Sequence, residues 1–131
     1  MDVVLDSGAL TAWARSRPPA DLLDLLEVAA QSGGAVILPT VTVVESTTGR
    51  QRDDARINQL LRRVVMDSCT LERSRQAAAL RFSCLRSVSA VDAVVAATAA
   101  ERTRATVVTS DPDDLQALLT NTVRAVPVLA V

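Results

Sequence analysis

The chain has 131 residues, 49% of them hydrophobic and 22% charged, with a formal net charge of -1 and an isoelectric point near 5.3. That length and apolar content suit one folded domain and exclude a disordered chain. All 14 basic residues are Arg, and His, Lys and Tyr are absent; an imidazole base, a His ligand, a Schiff-base lysine and a P-loop lysine are therefore excluded, leaving carboxylates, hydroxyls, thiols and Arg for any chemistry.

Val3, Val4 and Leu5 open the chain as a short buried strand that runs straight into Asp6. A carboxylate there is costly unless it is paired, binds a metal or caps the helix that follows. The "RPPAD" stretch at 17–21 reads as a turn. "PADLLDLLEVAAQSGG" then has helical spacing and stops at two glycines. Leu22, Leu25, Leu26 and Ala29 share one face of that helix, more apolar surface than a small domain must bury internally, so a partner surface is expected there. "AVIL" at 35–38 is a second strand, and a helix carrying Glu45 is expected from near Thr40. "DDARINQLLRRV" puts Ile57, Leu60, Leu61 and Val64 on one helical face, followed by a weaker strand within 64–70. Two helices follow, "ERSRQAAALRFSCLR" and "SAVDAVVAATAAERTR", the second with Asp92 in its first turn. "TVVT" at 106–109 is a strand. Asp111-Pro112 then starts a helix, and 126–131 forms the last strand. Strands alternating with helices give the α/β class: a mostly parallel central sheet with helices on both faces, in a single domain over 1–131. Cys69 and Cys84 stand in no CxxC pattern and read as reduced core thiols of a cytoplasmic protein. No signal peptide is apparent, and the most apolar run is too short for a bilayer, so no membrane is expected.

Four acids stand where carboxylates need a reason. In open parallel sheets ligands bind beyond the carboxyl ends of the strands, near the point where strand order reverses. Asp6 and Asp111 both follow strands, and they share a crevice if those strands are neighbours. Glu45 and Asp92 lie in apolar surroundings. Capping accounts for several of them singly: Ser89-x-x-Asp92 resembles a capping box, and Asp111, Asp113 and Asp114 suit a helix N-terminus. Glu45 has no comparable explanation. Together the four could share a hard divalent cation with oxygen ligands, Mg²⁺ or Mn²⁺.

The order "VVLDSGAL", "LPTVTVVES", "SAVDAVVAATA", "VVTSDPDDL" resembles PIN domains, and most closely the toxins of bacterial VapBC toxin–antitoxin pairs (VapC-like). The resemblance covers nearly the whole chain; no one motif is specific, but four in order are. It implies a three-layer α/β/α fold and a Mg²⁺- or Mn²⁺-dependent endoribonuclease. Its catalytic acids fall on Asp6, Glu45, Asp92 and Asp111, and its metal ligands on Asp6, Asp92, Asp111 and Asp114. Which of Asp111, Asp113 and Asp114 reaches the metal stays open. Ser7 replaces the more usual Thr after the first acid. The resemblance also implies a cognate antitoxin, an RNA substrate and a homodimer.

RNA requires positive surface around an acidic hole, and Ser7, Arg15, Arg17, Arg50 and Arg86 are the candidate contacts, with Arg52 and Arg81 nearby in sequence. For any one Arg a solvated helix face is the plainer account, and Trp13 reads as core or dimer interface. Two alternatives remain. One is a PIN-like RNA- or protein-binding module without activity, which a missing metal response would favour. The other is a phosphoaspartyl phosphatase-like or receiver protein, which the absence of Lys and Gly8 in place of an acid both disfavour.

Overall fold

The computed structural model describes residues 1–131. Five parallel strands form one sheet: β1 (Asp2–Leu5), β2 (Val36–Pro39), β3 (Val65–Asp67), β4 (Ala105–Thr109) and β5 (Val128–Ala130), in the order β3-β2-β1-β4-β5. Helices α1 (Ser7–Trp13), α2 (Ala20–Gln31), α3 (Thr42–Ser46), α4 (Ala55–Leu61), α5 (Leu71–Ser83), α6 (Ala90–Glu101) and α7 (Pro112–Leu119) connect them. The strand and helix alternation follows the sequence expectation, and the layers are those of a three-layer α/β/α fold.

The period of two along the strands builds the layers. Val4 and Val107 face a core filled from α5, α6 and α7 by residues such as Ala77, Val95 and Leu115. Val3, Leu5 and Val108 face the opposite core, filled from α1, α2 and α4 by Leu10, Trp13, Leu22, Leu26, Ile57 and Leu60. Helix α6 is buried from Ala93 to Ala99, which explains why its sequence is apolar all round rather than striped. The three-residue edge strands β3 and β5 are the least buried, as short protected edges should be.

Two expectations need correction. The face of α2 formed by Leu22, Leu25, Leu26 and Ala29 is no partner surface: Leu22, Leu26 and Ala29 are buried in the core, and Leu25 packs against it. The large apolar residues that α2 leaves exposed are Leu23 and Val28. The "ERSRQAAALRFSCLR" helix ends at Ser83, so Cys84 to Val88 form a loop rather than a last turn. Trp13 belongs to the core, with the Arg63 guanidinium 5.3 Å from its ring centroid. Cys69 and Cys84 are free and half-buried beside the core. No helix is long and apolar enough to cross a membrane.

The chain starts in the middle of the sheet, steps outward through β2 to β3, then returns to place β4 on the other side of β1. The reversal of strand order lies between β1 and β4, where Leu5, the last residue of β1, is in register with Val108, the last but one of β4. Asp6 and the segment after Thr109 therefore leave the sheet side by side.

Candidate active site

Asp6 is nearly buried and engaged on both oxygens. One accepts from the Ala9 N–H at 2.6 Å, which caps α1; the other accepts the Thr109 hydroxyl, whose own oxygen accepts the Asp111 N–H at 2.8 Å. Thr109 thus ties the ends of β1 and β4 together. The Asp6 carboxyl is pushed above its usual value by burial, with the bonds from Thr109, Ala9 and Ser110 working against that and the nearby Glu45 charge adding to it. Gly8 allows the close approach: a Cβ there would run into the Ser110 side chain.

Asp92 sits in the first turn of α6. Its N–H donates to Ser89 Oγ at 3.0 Å, so the cap is supplied by Ser89 and not by the Asp92 carboxylate. Burial raises its pKa most, against the Ser89 bond, and the charges of Asp6, Asp114 and Asp111 raise it further. Asp111 occupies the N-cap position of α7, with Pro112 at the first helical position as expected, but its side chain makes no capping bond. Asp114 lies one turn on. Its pKa is raised by desolvation first, then by Asp111, while Arg86 opposes the shift.

Three of these carboxylates, Asp92, Asp111 and Asp114, bring oxygens within 4.8 Å of one another. Asp6 is coupled to the group by charge, yet its oxygens are held by Ala9 and Thr109. Glu45, on α3, is exposed at the side of the cluster, where Ser7 Oγ donates to it at 3.1 Å. It falls in the first turn of its helix, so the N-terminal dipole favours it as well. Asp113 is exposed and outside the group.

A hard divalent cation fits this donor set. Every ligand offered is a carboxylate oxygen, and the grouping includes no thiol. Asp114 Oδ1 is buried without a hydrogen-bond partner, an expensive condition for a carboxylate oxygen unless a cation satisfies it. Arg86 Nε lies 2.9 Å from that same atom, so the contact is one of charge rather than an aligned hydrogen bond.

Of the candidate RNA contacts, Arg15 and Arg17 are exposed beyond the end of α1, and Arg50 is exposed in the loop after α3. That loop is pinned by Asp54, whose Oδ1 accepts from the Thr48 N–H at 2.8 Å and from the Thr48 hydroxyl at 3.0 Å. Arg86 turns instead toward the acids, Ser7 donates to Glu45, and Arg81 Nε is used by the Val88 carbonyl at 3.0 Å. Sequence reasoning missed Thr109, although a hydroxyl closing a buried strand just before an acidic run was its signal. It also missed Arg73, a buried cation bonded to Asp67, Gln76 and the Ala97 carbonyl and paired with Glu101, which fastens α5 to β3 and α6.

Residues 3–118 match the family described as PIN domain. No curated protein sequence matches the chain. Solved structures resemble it closely in fold. A chain of VapBC2 from Rickettsia felis, bound to a DNA fragment from their promoter, superposes with a TM-score of 0.75 at 14% identity, covering 100% of this chain and 99% of that one. A chain of DNA-bound VapBC from Salmonella typhimurium gives 0.72 at 13% identity, covering 99% and 98%. A chain of FitAcB from Neisseria gonorrhoeae gives 0.59 at 19% identity, covering 97% and 96%.

Proposed function

Because the chain belongs to the PIN domain family, we propose that it is a metal-dependent endoribonuclease, the VapC-like toxin of a toxin–antitoxin pair acting in the cytoplasm. The observation that carries this reading is the convergence of Asp92, Asp111 and Asp114 at the strand-order reversal, with one buried Asp114 oxygen left without a hydrogen bond. The complexes named VapBC and FitAcB among its fold relatives support a protein antitoxin as partner, and a homodimer is the expected assembly.

Asp92, Asp111 and Asp114 hold Mg²⁺ or Mn²⁺ in this reading. What the bound ion supplies is a lower pKa for water and compensation for charge developing on the phosphate. Asp6 acts beside them: its charge faces the same crevice, and through Thr109 it fixes the backbone that carries Asp111. Glu45, oriented by Ser7, is the exposed carboxylate free to accept a proton from the attacking water. Asp92 and Asp114 lie in the first turns of α6 and α7, where the helix dipole favours an anionic phosphate. Arg15, Arg17 and Arg50 are exposed guanidinium groups available to the flanking RNA backbone.

The test is cleavage of RNA by the purified protein with and without Mg²⁺ or Mn²⁺, together with growth on induction. Wild type should cut only with metal and should arrest growth. Asp92→Asn should do neither while melting as a folded protein. Cleavage that persists in chelator, or in Asp92→Asn, removes the assignment. A binding module without activity is the second reading, favoured by one observation: Arg86 already offers a cation to Asp114. A folded wild type that binds RNA without cutting it, with metal present, would select that reading.

A further inference from the structure

We propose that Arg86 is an exchangeable counter-ion of the acidic cluster, holding Asp114 in the metal-free protein and giving it up when a divalent cation binds. This rests on the metal-site reading above.

Arg86 Nε is 2.9 Å from Asp114 Oδ1, and the Arg86 side chain is 51% exposed against 16% for Asp114. The contact lacks hydrogen-bond alignment, and the Arg86 guanidinium makes no other ion pair. Arg73 shows what a permanent arginine looks like in this protein: buried, paired with Asp67 and Glu101, and bonded to Gln76 and the Ala97 carbonyl as well. Arg86 has one half-exposed charge contact in place of that cage. Its fork geometry, suited to two parallel bonds with a carboxylate, is unused.

The loop that carries Arg86 is built to let it move. Its base is fixed: Arg81 Nε donates to the Val88 carbonyl, Val88 is buried in the core, and Ser89 caps α6. Between these anchors and Ser83 the chain is non-helical, and Leu85, next to Arg86, is fully exposed. The guanidinium can swing away without disturbing a helix or the core. The oxygen it touches is the one a cation would satisfy, and two positive charges on that one atom repel each other. Three clustered carboxylates repel one another without a positive neighbour, so Arg86 relieves part of that repulsion and a divalent ion replaces it.

The experiment titrates the full chain with Mn²⁺ alone, without RNA, by calorimetry. Arg86→Gln should bind Mn²⁺ about three- to tenfold more tightly than wild type, the effect expected when one half-exposed ion pair and its repulsion of the incoming cation are removed. Arg86→Lys, which keeps the charge, should stay within about twofold of wild type on the same reasoning. In a parallel Mg²⁺ titration followed by NMR, the Arg86 Nε–H signal should shift while that of Arg73 stays put. Equal or weaker Mn²⁺ binding by Arg86→Gln overturns the proposal and leaves the metal site standing. Equal tightening by the Gln and Lys variants also overturns it, because the loop and not the charge is then responsible. Absence of Mn²⁺ binding in wild type and in Arg86→Gln alike removes the metal site and this proposal together. Binding only in Arg86→Gln supports it in its strongest form.

Discussion

Asp6 and Asp92 are both acids with raised pKa values, yet they should answer differently to mutation. Asp6 accepts from the Ala9 N–H and the Thr109 hydroxyl, so Asp6→Ala removes a helix cap and orphans a buried hydroxyl. A loss of about 1–2 kcal/mol is expected from a missing cap of this kind, read as a lower midpoint in urea. Asp92 caps nothing, because Ser89 Oγ takes that part. Asp92→Asn should therefore leave the metal-free protein as stable as wild type or more so, since a repelling charge goes, while Ser89→Ala costs about 1 kcal/mol. Destabilisation by Asp92→Asn in metal-free melts would show that its carboxylate does structural work.

The same shifts set a pH dependence. Asp6, Asp92 and Asp114 have folded-state pKa values raised above 3.8, so the folded protein binds protons more tightly than the unfolded chain. Their contribution to stability is complete below 3.8 and is lost as pH rises through the raised values. Asp54 is lowered, chiefly by the Thr48 N–H; its contribution is present above 3.8 and is lost as pH falls through its lowered value. Metal-free protein should thus be most stable in mild acid and weaken toward neutrality, and Mg²⁺ should remove that decline. Thermal melts from pH 4 to 8, with chelator and with Mg²⁺, check this; a metal-free protein that gains stability up to pH 7 contradicts it.

Among the elements, α1 meets the start of the β4–α7 connection at Gly8 and Ser110. A Cβ on Gly8 has no room there, so Gly8→Ala must part α1 from that connection, at about 1–3 kcal/mol for overpacking. Because the same connection carries Asp111, cleavage should fall by more than the stability loss alone explains. Full activity in a Gly8→Ala protein that melts lower would separate the two. The elements also show what the sequence could and could not reveal. Runs such as "TVVT" and "DLLDLLEVAA" carry their own periodicity, so their type was readable locally. The fate of the Leu22 face was not, because it depends on which helix covers which side of the sheet. Asp111 and Pro112 announced a helix start by local rules. Arg86 reaches Asp114 across the whole of α6 and β4, and no local pattern encodes that pairing. Thr109 was hidden differently: as a β-branched residue at a strand end it satisfies strand propensity, which masks its bond to Asp6.

For the molecule as a whole, a cation that binds the folded protein alone should stabilise it by about 2.7 kcal/mol at a hundred times its dissociation constant. A rise in melting temperature with Mn²⁺ that disappears in Asp111→Asn with Asp114→Asn is the expected result, and an unchanged wild-type midpoint at millimolar Mn²⁺ speaks against the site. The central place of β1 bears on timing as well as on geometry. Asp6 is translated early, but the strand that completes its surroundings, β4, begins 100 residues after β1 ends. At about 5–20 residues per second, roughly 5–20 s separate synthesis of the first acid from that of the last. During that interval β1 has a neighbour on one side only, and Thr109 is not there to hold Asp6. A PIN domain built this way cannot bring its acids together until β4 and α7 have been made; under the function proposed above, the ribosome making it is spared during that interval, and a protein partner has the same interval in which to arrive.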